Sequence, residues 1–472
     1  VSVMQLPPRV RQAVEEALRK VDWQGFDKEK VNAIINELLG KLDSVQLHFI
    51  EDCVGCAACA PACPYYPVSE EYGPVEKAEH VRHMYRKEAT ILGKLLGPLL
   101  NAKKPSKPEH LDKLVELVYR CTNCGACYVS CPFGIDSGAL IRGILAPLVS
   151  RAGRIPAILA IFEALERTGA YMDIPAFKQV WSDVNAKIDQ ALGKPVARDR
   201  KGAEYLLFLD LSDAMFYPGA VVGAAKILDR AGLDWTLPGS PLGFRPPIGS
   251  VVGFSDSVKQ VLSQIDNYVE SIGARYLVVL DGGFVYPWLR WQLLKVLGKR
   301  PSYKVLHITE LVAELLRQGR LKLRQTDDPV TWHDPCQLAR RSGVTKEPVE
   351  ALRAASKGFR LLPHHGAESY CCGGGGGIGY LSIHMIEMMA KMIGVDMSVV
   401  ISGEKEKQFL LKTQEAWSIA VKRKVDDIKK SKAKIVVTAC PVCMHSIEGG
   451  AKLYGLDIEV KHFAEYIAER LA

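Results

Sequence analysis

Apolar residues recur at three- and four-residue intervals through the first 46 positions. Val10, Val14, Leu18 and Val21 form one stripe, and Val31, Ile34, Ile35, Leu38 and Leu39 form another. That spacing places each set on one helix face and predicts amphipathic helices that pack by those faces. The same period runs over residues 74 to 119, broken at Pro105 and Pro108, and over 139 to 192, broken at Pro147, Pro156 and Pro175. Near residue 203 the pattern changes. Short β-branched runs at 205 to 209, 276 to 280, 330 to 332 and 435 to 438 alternate with helical stretches, which predicts an α/β region.

The α/β region repeats itself. LVVLDGGFV at 277 to 285 aligns with IVVTACPVC at 435 to 443, and HITELVAELL at 307 to 316 aligns with HFAEYIAERL at 462 to 471. Farther back, FLDLS at 208 to 212 lies over WHDPC at 332 to 336, and PLG at 241 to 243 over CCG at 371 to 373. The second copy carries Cys336, Cys371, Cys372, Cys440 and Cys443, where the first has Ser212, Pro241, Leu242, Gly282 and Val285.

Length and composition narrow the class. A chain of 472 residues holds several cores. Its 48% apolar and 24% charged content is that of a globular protein. Lys and Arg number 61 against 53 Asp and Glu, a net +8 dispersed over the chain. The basic stretches 198 to 201 and 422 to 434 lack interleaved aromatics, so nucleic acid is not an expected partner. The longest apolar stretch, 139 to 165, is interrupted by Arg142, Arg151, Arg154 and Glu163, and no membrane span is expected. The first residues lack the pattern of a secretory signal, and the expected location is cytoplasmic. Thirteen cysteines in such a chain point to metal or redox use rather than to a disulfide framework.

Their spacing defines the chemistry. Cys53, Cys56, Cys59 and Cys63, followed by Pro64, form C-x2-C-x2-C-x3-C-P, and Cys121, Cys124, Cys127 and Cys131, followed by Pro132, form it again. Three thiolates at that spacing embrace one cubane and the fourth reaches the other. Cys53, Cys56, Cys59 and Cys131 are therefore assigned to one 4Fe-4S cluster, and Cys121, Cys124, Cys127 and Cys63 to the second. Structural zinc sites use paired ligands instead. Gly55 and Gly125, with Ala57, Ala58 and Ala126, leave backbone amides free to approach the sulfides.

Five cysteines fit no cubane. The adjacent Cys371 and Cys372, with Cys336, Cys440 and Cys443, suggest several irons bridged by thiolates. Zinc held by four of them, or a dithiol at Cys440 and Cys443, are the alternatives. Residues 374 to 379 satisfy G-x-G-x-x-G, yet no apolar strand leads into them, so Gly373 to Gly377 are read as a close backbone approach to the cluster and no flavin is expected in this chain. His333, His364, His365 and His445 are candidate hydrogen-bonding partners beside these ligands, and Arg340 and Arg341 candidate anion contacts.

The expected fold is multidomain. A helical segment at 1–46 precedes a helical two-cluster ferredoxin domain at 47–150 and a linker at 151–202. A cysteine-free α/β subdomain at 203–325 and its pseudo-repeat with the five-cysteine site at 326–472 complete the chain.

HDPCQLAR at 333 to 340, SYCCGGGGG at 369 to 377 and VVTACPVC at 436 to 443 resemble the CCG module of heterodisulfide reductase catalytic subunits. Behind two ferredoxin motifs, the whole resembles the D-type subunit of membrane heterodisulfide reductases and the DsrK-like subunits of sulfur metabolism. The resemblance implies a noncubane 4Fe-4S cluster at Cys336, Cys371, Cys372, Cys440 and Cys443, where a disulfide or trisulfide, from a small heterodisulfide or a DsrC-like carrier protein, is reduced. It also implies a cytochrome b-type membrane partner, with further redox subunits, that delivers electrons from a quinol and holds the chain on the inner face of the membrane. Iron–sulfur subunits of flavin-dependent glycolate or lactate oxidases share the module and supply the alternative, a purely electron-transferring role. Two departures stand out. The first copy has no cysteines, as in the sulfur-metabolism branch, and an additional segment lies near 396 to 434.

Overall fold

The four apolar runs become the inner strands of two parallel sheets. In the computed structural model, which describes residues 3–97, 99–244 and 247–472, β1 (Tyr205–Leu207), β2 (Trp235–Thr236), β3 (Tyr276–Val279) and β4 (Lys304–His307) form one sheet. The second consists of β5 (Val330–Trp332), β6 (Arg360–Leu361), β7 (Ile435–Thr438) and β8 (Glu459–His462). Strand orders are β2-β1-β3-β4 and β6-β5-β7-β8, all parallel. β1, β3, β5 and β7 are the expected strands; the other four lie beside them. In each sheet the chain moves to one side of its first strand, then returns to the other. A crevice therefore opens at the carboxyl ends of β1 and β3, and of β5 and β7, the place where α/β sheets bind ligands.

Helix packing between the sheets is reciprocal. The Pro218–Arg230 helix after β1 packs on the Phe463–Ala468 helix after β8, and the Lys346–Ala355 helix after β5 packs on the Ile308–Arg317 helix after β4. Gly223 permits the first contact, since a Cβ there would lie 2.6 Å from the Ala464 carbonyl oxygen. His307 and His462 end corresponding strands, and each caps the following helix through its ring. One apolar core, including Leu207, Val278, Trp332 and Val437, runs through both sheets.

The sequence suggests five consecutive segments, whereas the chain forms two compact units, each woven from three stretches. Residues 1–165, 248–255 and 372–421 build the helical unit; 166–247, 256–371 and 422–472 build the α/β unit. Positions 1 and 2 of the predicted N-terminal segment lie outside the described residues. The first apolar stripes become the Pro8–Leu18 and Lys28–Leu39 helices, burying Val10, Val14, Val31, Ile34 and Ile35. The stretch from 396 to 434 becomes mainly one helix, Glu404–Ser431. Among the described residues no helix is long and apolar enough to cross a membrane.

Candidate metal centres

In the helical unit the eight ferredoxin-motif cysteines divide between two cavities of about 350 Å³ each. Cys53, Cys56, Cys59 and Cys131 line one; Cys63, Cys121, Cys124 and Cys127 line the other. Each cavity takes three cysteines from one motif and the last from the other. The two loops share a conformation. Gly55 (φ 69°) and Ala57 (φ 57°) are left-handed in the first, and Asn123 (φ 56°) and Gly125 (φ 74°) at the same places in the second. Each loop therefore holds one non-glycine residue in a region that costs about 1–2 kcal/mol. Left-handed turns of this kind gather amides into a concavity suited to an anion.

Two observations test whether an iron–sulfur cluster fits. Lys77 is 2% exposed, and its ammonium donates to the Arg120 carbonyl at 2.7 Å and to Cys63 Sγ at 3.6 Å. A buried cation needs a nearby anion, and a thiolate-ligated cluster supplies one. Burial also pushes the Cys59 thiol up to about 11 and the Cys127 thiol well above its usual value. Positive metal charge is what makes thiolates of such sulfurs. The residues fit the group.

The cavities differ in exposure: Cys56 is exposed, whereas Cys63, Cys121 and Cys124 are buried. The glycine run that follows Cys372 lies on the buried one. A Cβ on Gly375 would sit 2.7 Å from the Thr122 carbonyl oxygen, and one on Gly376 (φ 65°) 2.4 Å from that of Cys121. Tyr65, two residues after Cys63, donates to the Gly373 carbonyl at 2.9 Å. Arg142 pins the same loop by donating to the carbonyls of Cys121 and Val118. The sequence reading directs these glycines at the five-cysteine site. In the structure Gly375 and Gly376 instead admit the backbone of the second ferredoxin loop.

The α/β unit places Cys336, Cys371, Cys440 and Cys443 on the loops and helix starts that follow β5, β6 and β7. Cys336 opens the Cys336–Ala339 helix after β5, Cys440 caps the Pro441–Leu453 helix after β7, and Cys443 lies in its first turn. The His333 amide donates to the Val437 carbonyl at 2.9 Å and ties the two strand ends together. A His333 ring nitrogen lies within 4.8 Å of Cys443 Sγ. Cys371, Cys440 and Cys443 are buried and Cys336 is partly exposed. Cys372 follows Cys371 by one peptide bond, at which the chain passes into the helical unit.

The cysteine-free half walls this site. The Gly282 amide donates to the Ala439 carbonyl at 2.8 Å, and a Cβ on Gly283 would lie 2.3 Å from Cys440 Sγ. Asp281 fixes this turn by accepting from the amides of Gly283 at 2.7 Å and Phe284 at 3.2 Å. At the matching position after β1, Ser212 is buried and donates to the Phe244 carbonyl.

A polar chain gathers around Tyr370, the residue before Cys371. Asp427, 1% exposed, pairs with His364 Nδ1 at 2.8 Å; His364 Nε2 meets the Tyr370 hydroxyl at 2.8 Å, and the two rings stack. Buried Lys424 reaches Asp427 at 3.7 Å and the Ser369 hydroxyl at 3.5 Å, and Arg423 lies over the Tyr370 ring. Arg340 holds the preceding loop through the Ala367 and Ser369 carbonyls. His365 Nδ1 contacts the Leu362 carbonyl at 2.9 Å, and His445 is half-buried on the helix that begins after Cys440. Sequence reading misses Lys77, Asp281, Gly283, Tyr370, Lys424 and Asp427. The doubled glycine at 282 and 283 is the one available signal, and the alignment of 277–285 with 435–443 sets only Gly282 against a ligand, Cys440.

Comparison with known proteins gives two family matches: a 4Fe-4S dicluster domain over residues 49–135 and a cysteine-rich domain over 330–395 and 408–448. Over 451 residues the chain is 23% identical to the D-type subunit of the dihydromethanophenazine:CoB–CoM heterodisulfide reductase of Methanosarcina barkeri, covering 91% of this chain and 96% of that protein. It is 26% identical over 424 residues to the Hdr-like menaquinol oxidoreductase iron-sulfur subunit 2 of Archaeoglobus fulgidus, covering 78% and 75% respectively. An EtfAB:quinone oxidoreductase of Syntrophomonas wolfei is 24% identical over 440 residues, 88% of this chain and 57% of that protein.

Proposed function

Since the chain is an iron–sulfur oxidoreductase subunit of the heterodisulfide reductase D-like, CCG-domain type, we propose that it takes electrons from a quinol through a cytochrome b-type membrane partner and reduces a disulfide or trisulfide at its five-cysteine site. Cys53, Cys56, Cys59 and Cys131 would hold one cubane, Cys63, Cys121, Cys124 and Cys127 the second, and Cys336, Cys371, Cys372, Cys440 and Cys443 a noncubane 4Fe-4S cluster. Such a cluster, when bound, supplies soft iron for a substrate sulfur and lets a two-electron cleavage proceed in one-electron steps. The two α/β lobes, alike in strand order and histidine caps, are read as copies of one unit of which one kept its ligands.

The observation that carries the proposal is the seat of Gly375 on Thr122. It places the backbone that continues from Cys372 against the ligand loop of the buried cavity, while exposed Cys56 marks the other cavity as the side open to a donor. Val54, Tyr128 and Phe133, exposed beside those ligands, suit a transient redox contact. His333 holds a ring nitrogen within 4.8 Å of Cys443 Sγ, where a sulfur leaving as a thiol needs a proton.

A second reading, an electron-transfer subunit of a flavin-dependent dehydrogenase, is favoured by the EtfAB:quinone oxidoreductase relative. One experiment separates the two. The isolated, flavin-free chain, reduced anaerobically and mixed with a small heterodisulfide or a carrier-protein trisulfide, is expected to release thiols in proportion to the electrons it held. Full oxidation by an artificial acceptor with no thiol released from either substrate would favour the flavin-partner reading.

A further inference from the structure

Between the two ferredoxin motifs, the helical unit displays an apolar surface that its own fold does not cover. Ile91, Leu92, Leu95, Leu96, Leu99 and Leu100 are all exposed; Ile91 is 77%, Leu95 74% and Leu99 83% exposed. Single exposed leucines are ordinary, but six within ten residues mark an interaction site.

The segment is built to face outward. Gly93 is buried against the Pro74–Ala89 helix, where a Cβ would fall 1.9 Å from the Arg86 carbonyl oxygen. Thr90 donates to that oxygen at 2.8 Å and accepts from the Gly93 amide at 3.0 Å. At the far end the Ala102 amide donates to the Gly97 carbonyl at 2.9 Å, and the Lys103 amide to that of His83 at 3.2 Å. With glycine on the inner side and both ends pinned, the leucines and isoleucine have only the outer side.

Charge identifies the occupant. Residues 86 to 107 hold Arg86, Lys87, Lys94, Lys103, Lys104 and Lys107 against Glu88 alone, 6 − 1 = +5 within a chain of net +8. The stretch is thus more basic than the chain as a whole, even with Arg86 paired to Glu79 and Lys104 to Glu88. Protein-binding patches favour aromatic anchors and are poor in lysine, and residues 91 to 104 contain no aromatic residue. Aliphatic residues bordered by lysines are the composition of a segment lying in a lipid interface.

We propose that residues 91–97 and 99–107 dock on an anionic lipid bilayer, the leucines entering the headgroup–acyl boundary and Lys94, Lys103 and Lys107 meeting lipid phosphates. This contact is independent of the redox chemistry assigned above. The test is co-sedimentation of the iron-loaded chain with phosphatidylcholine vesicles, with or without about one-quarter phosphatidylglycerol, at about 0.1 M salt and at several times that concentration. Binding is expected only to the anionic vesicles, to fall as salt rises, and to fall at least about tenfold in Leu95→Glu/Leu99→Glu with iron content unchanged. Lys103→Glu/Lys107→Glu, altering two exposed side chains, should lose the preference for anionic vesicles. Absence of binding, or equal binding by both variants, overturns the proposal. Binding only to detergent-solubilised membrane subunits, lost in the leucine variant, overturns it in favour of a protein partner.

Discussion

Replacing Cys372 by Ser is expected to abolish disulfide reduction while both ferredoxin-motif clusters remain and stay reducible. None of the eight cysteines lining the two cavities of the helical unit belongs to the five-cysteine set, so the loss is confined to the third site. Serine preserves the size of the side chain and the backbone that leads to Gly373, whose carbonyl accepts from Tyr65. It replaces a soft thiolate by a hard, weakly acidic hydroxyl, which bridges irons poorly. Bound iron should fall from about twelve to about eight atoms per chain, with thiol release at background. Low-temperature electron paramagnetic resonance of the reduced variant reads the two surviving clusters. Reduction of disulfide at the unaltered rate would remove the five-cysteine site from the chemistry and leave electron transfer alone.

The second large effect is expected at a position with no ligand atom. Gly283 lies in the cysteine-free half, and the Cβ of an alanine there would fall 2.3 Å from Cys440 Sγ, well inside contact distance. Asp281 holds the turn through the Gly283 and Phe284 amides, so the turn resists moving away. The easier relief is rotation of the Cys440 side chain, which keeps the fold and displaces a ligand. Gly283→Ala should therefore lose the iron of the third site and most thiol release, with the thermal transition little changed and both ferredoxin signals intact. A Gly283→Ala chain with the full iron complement would show that the cysteine-free half is only a packing partner.

The cysteine motifs and inner strands were legible for local reasons. Ligand spacing in C-x2-C-x2-C-x3-C-P is set by a single loop, and strands such as 276 to 279 and 435 to 438, buried between neighbours, appear as apolar runs. The outer strands were not legible. Arg360–Leu361 is two residues long, and Lys304–His307 and Glu459–His462 mix charge with apolar residues because one edge faces solvent.

The site was legible in its ligands and hidden in its supports. Gly375 meets Thr122 across 253 positions in sequence, and His364 meets Asp427 across 63; no local pattern specifies such pairs. Asp427 and Lys424 lie on the Glu404–Ser431 helix, which the sequence reading takes as an addition to the CCG module, whereas the family match resumes at residue 408 and includes both residues. Gly282 looks like the remains of a lost ligand, and Gly283, aligned with Pro441, carries no signal at all until packing shows it beside Cys440. The exposed leucines between 91 and 100 have the periodicity of a packing helix, and only the burial of Gly93 reveals which side is inward.

The most direct test of the central claim, that a third iron–sulfur cluster occupies the five-cysteine site, is metal and acid-labile sulfide analysis of anaerobically purified chain. About twelve irons and about twelve sulfides per chain are expected, with no stoichiometric zinc. About eight irons together with one zinc would contradict it, leaving two ferredoxin clusters and a structural metal where the reductive chemistry is placed.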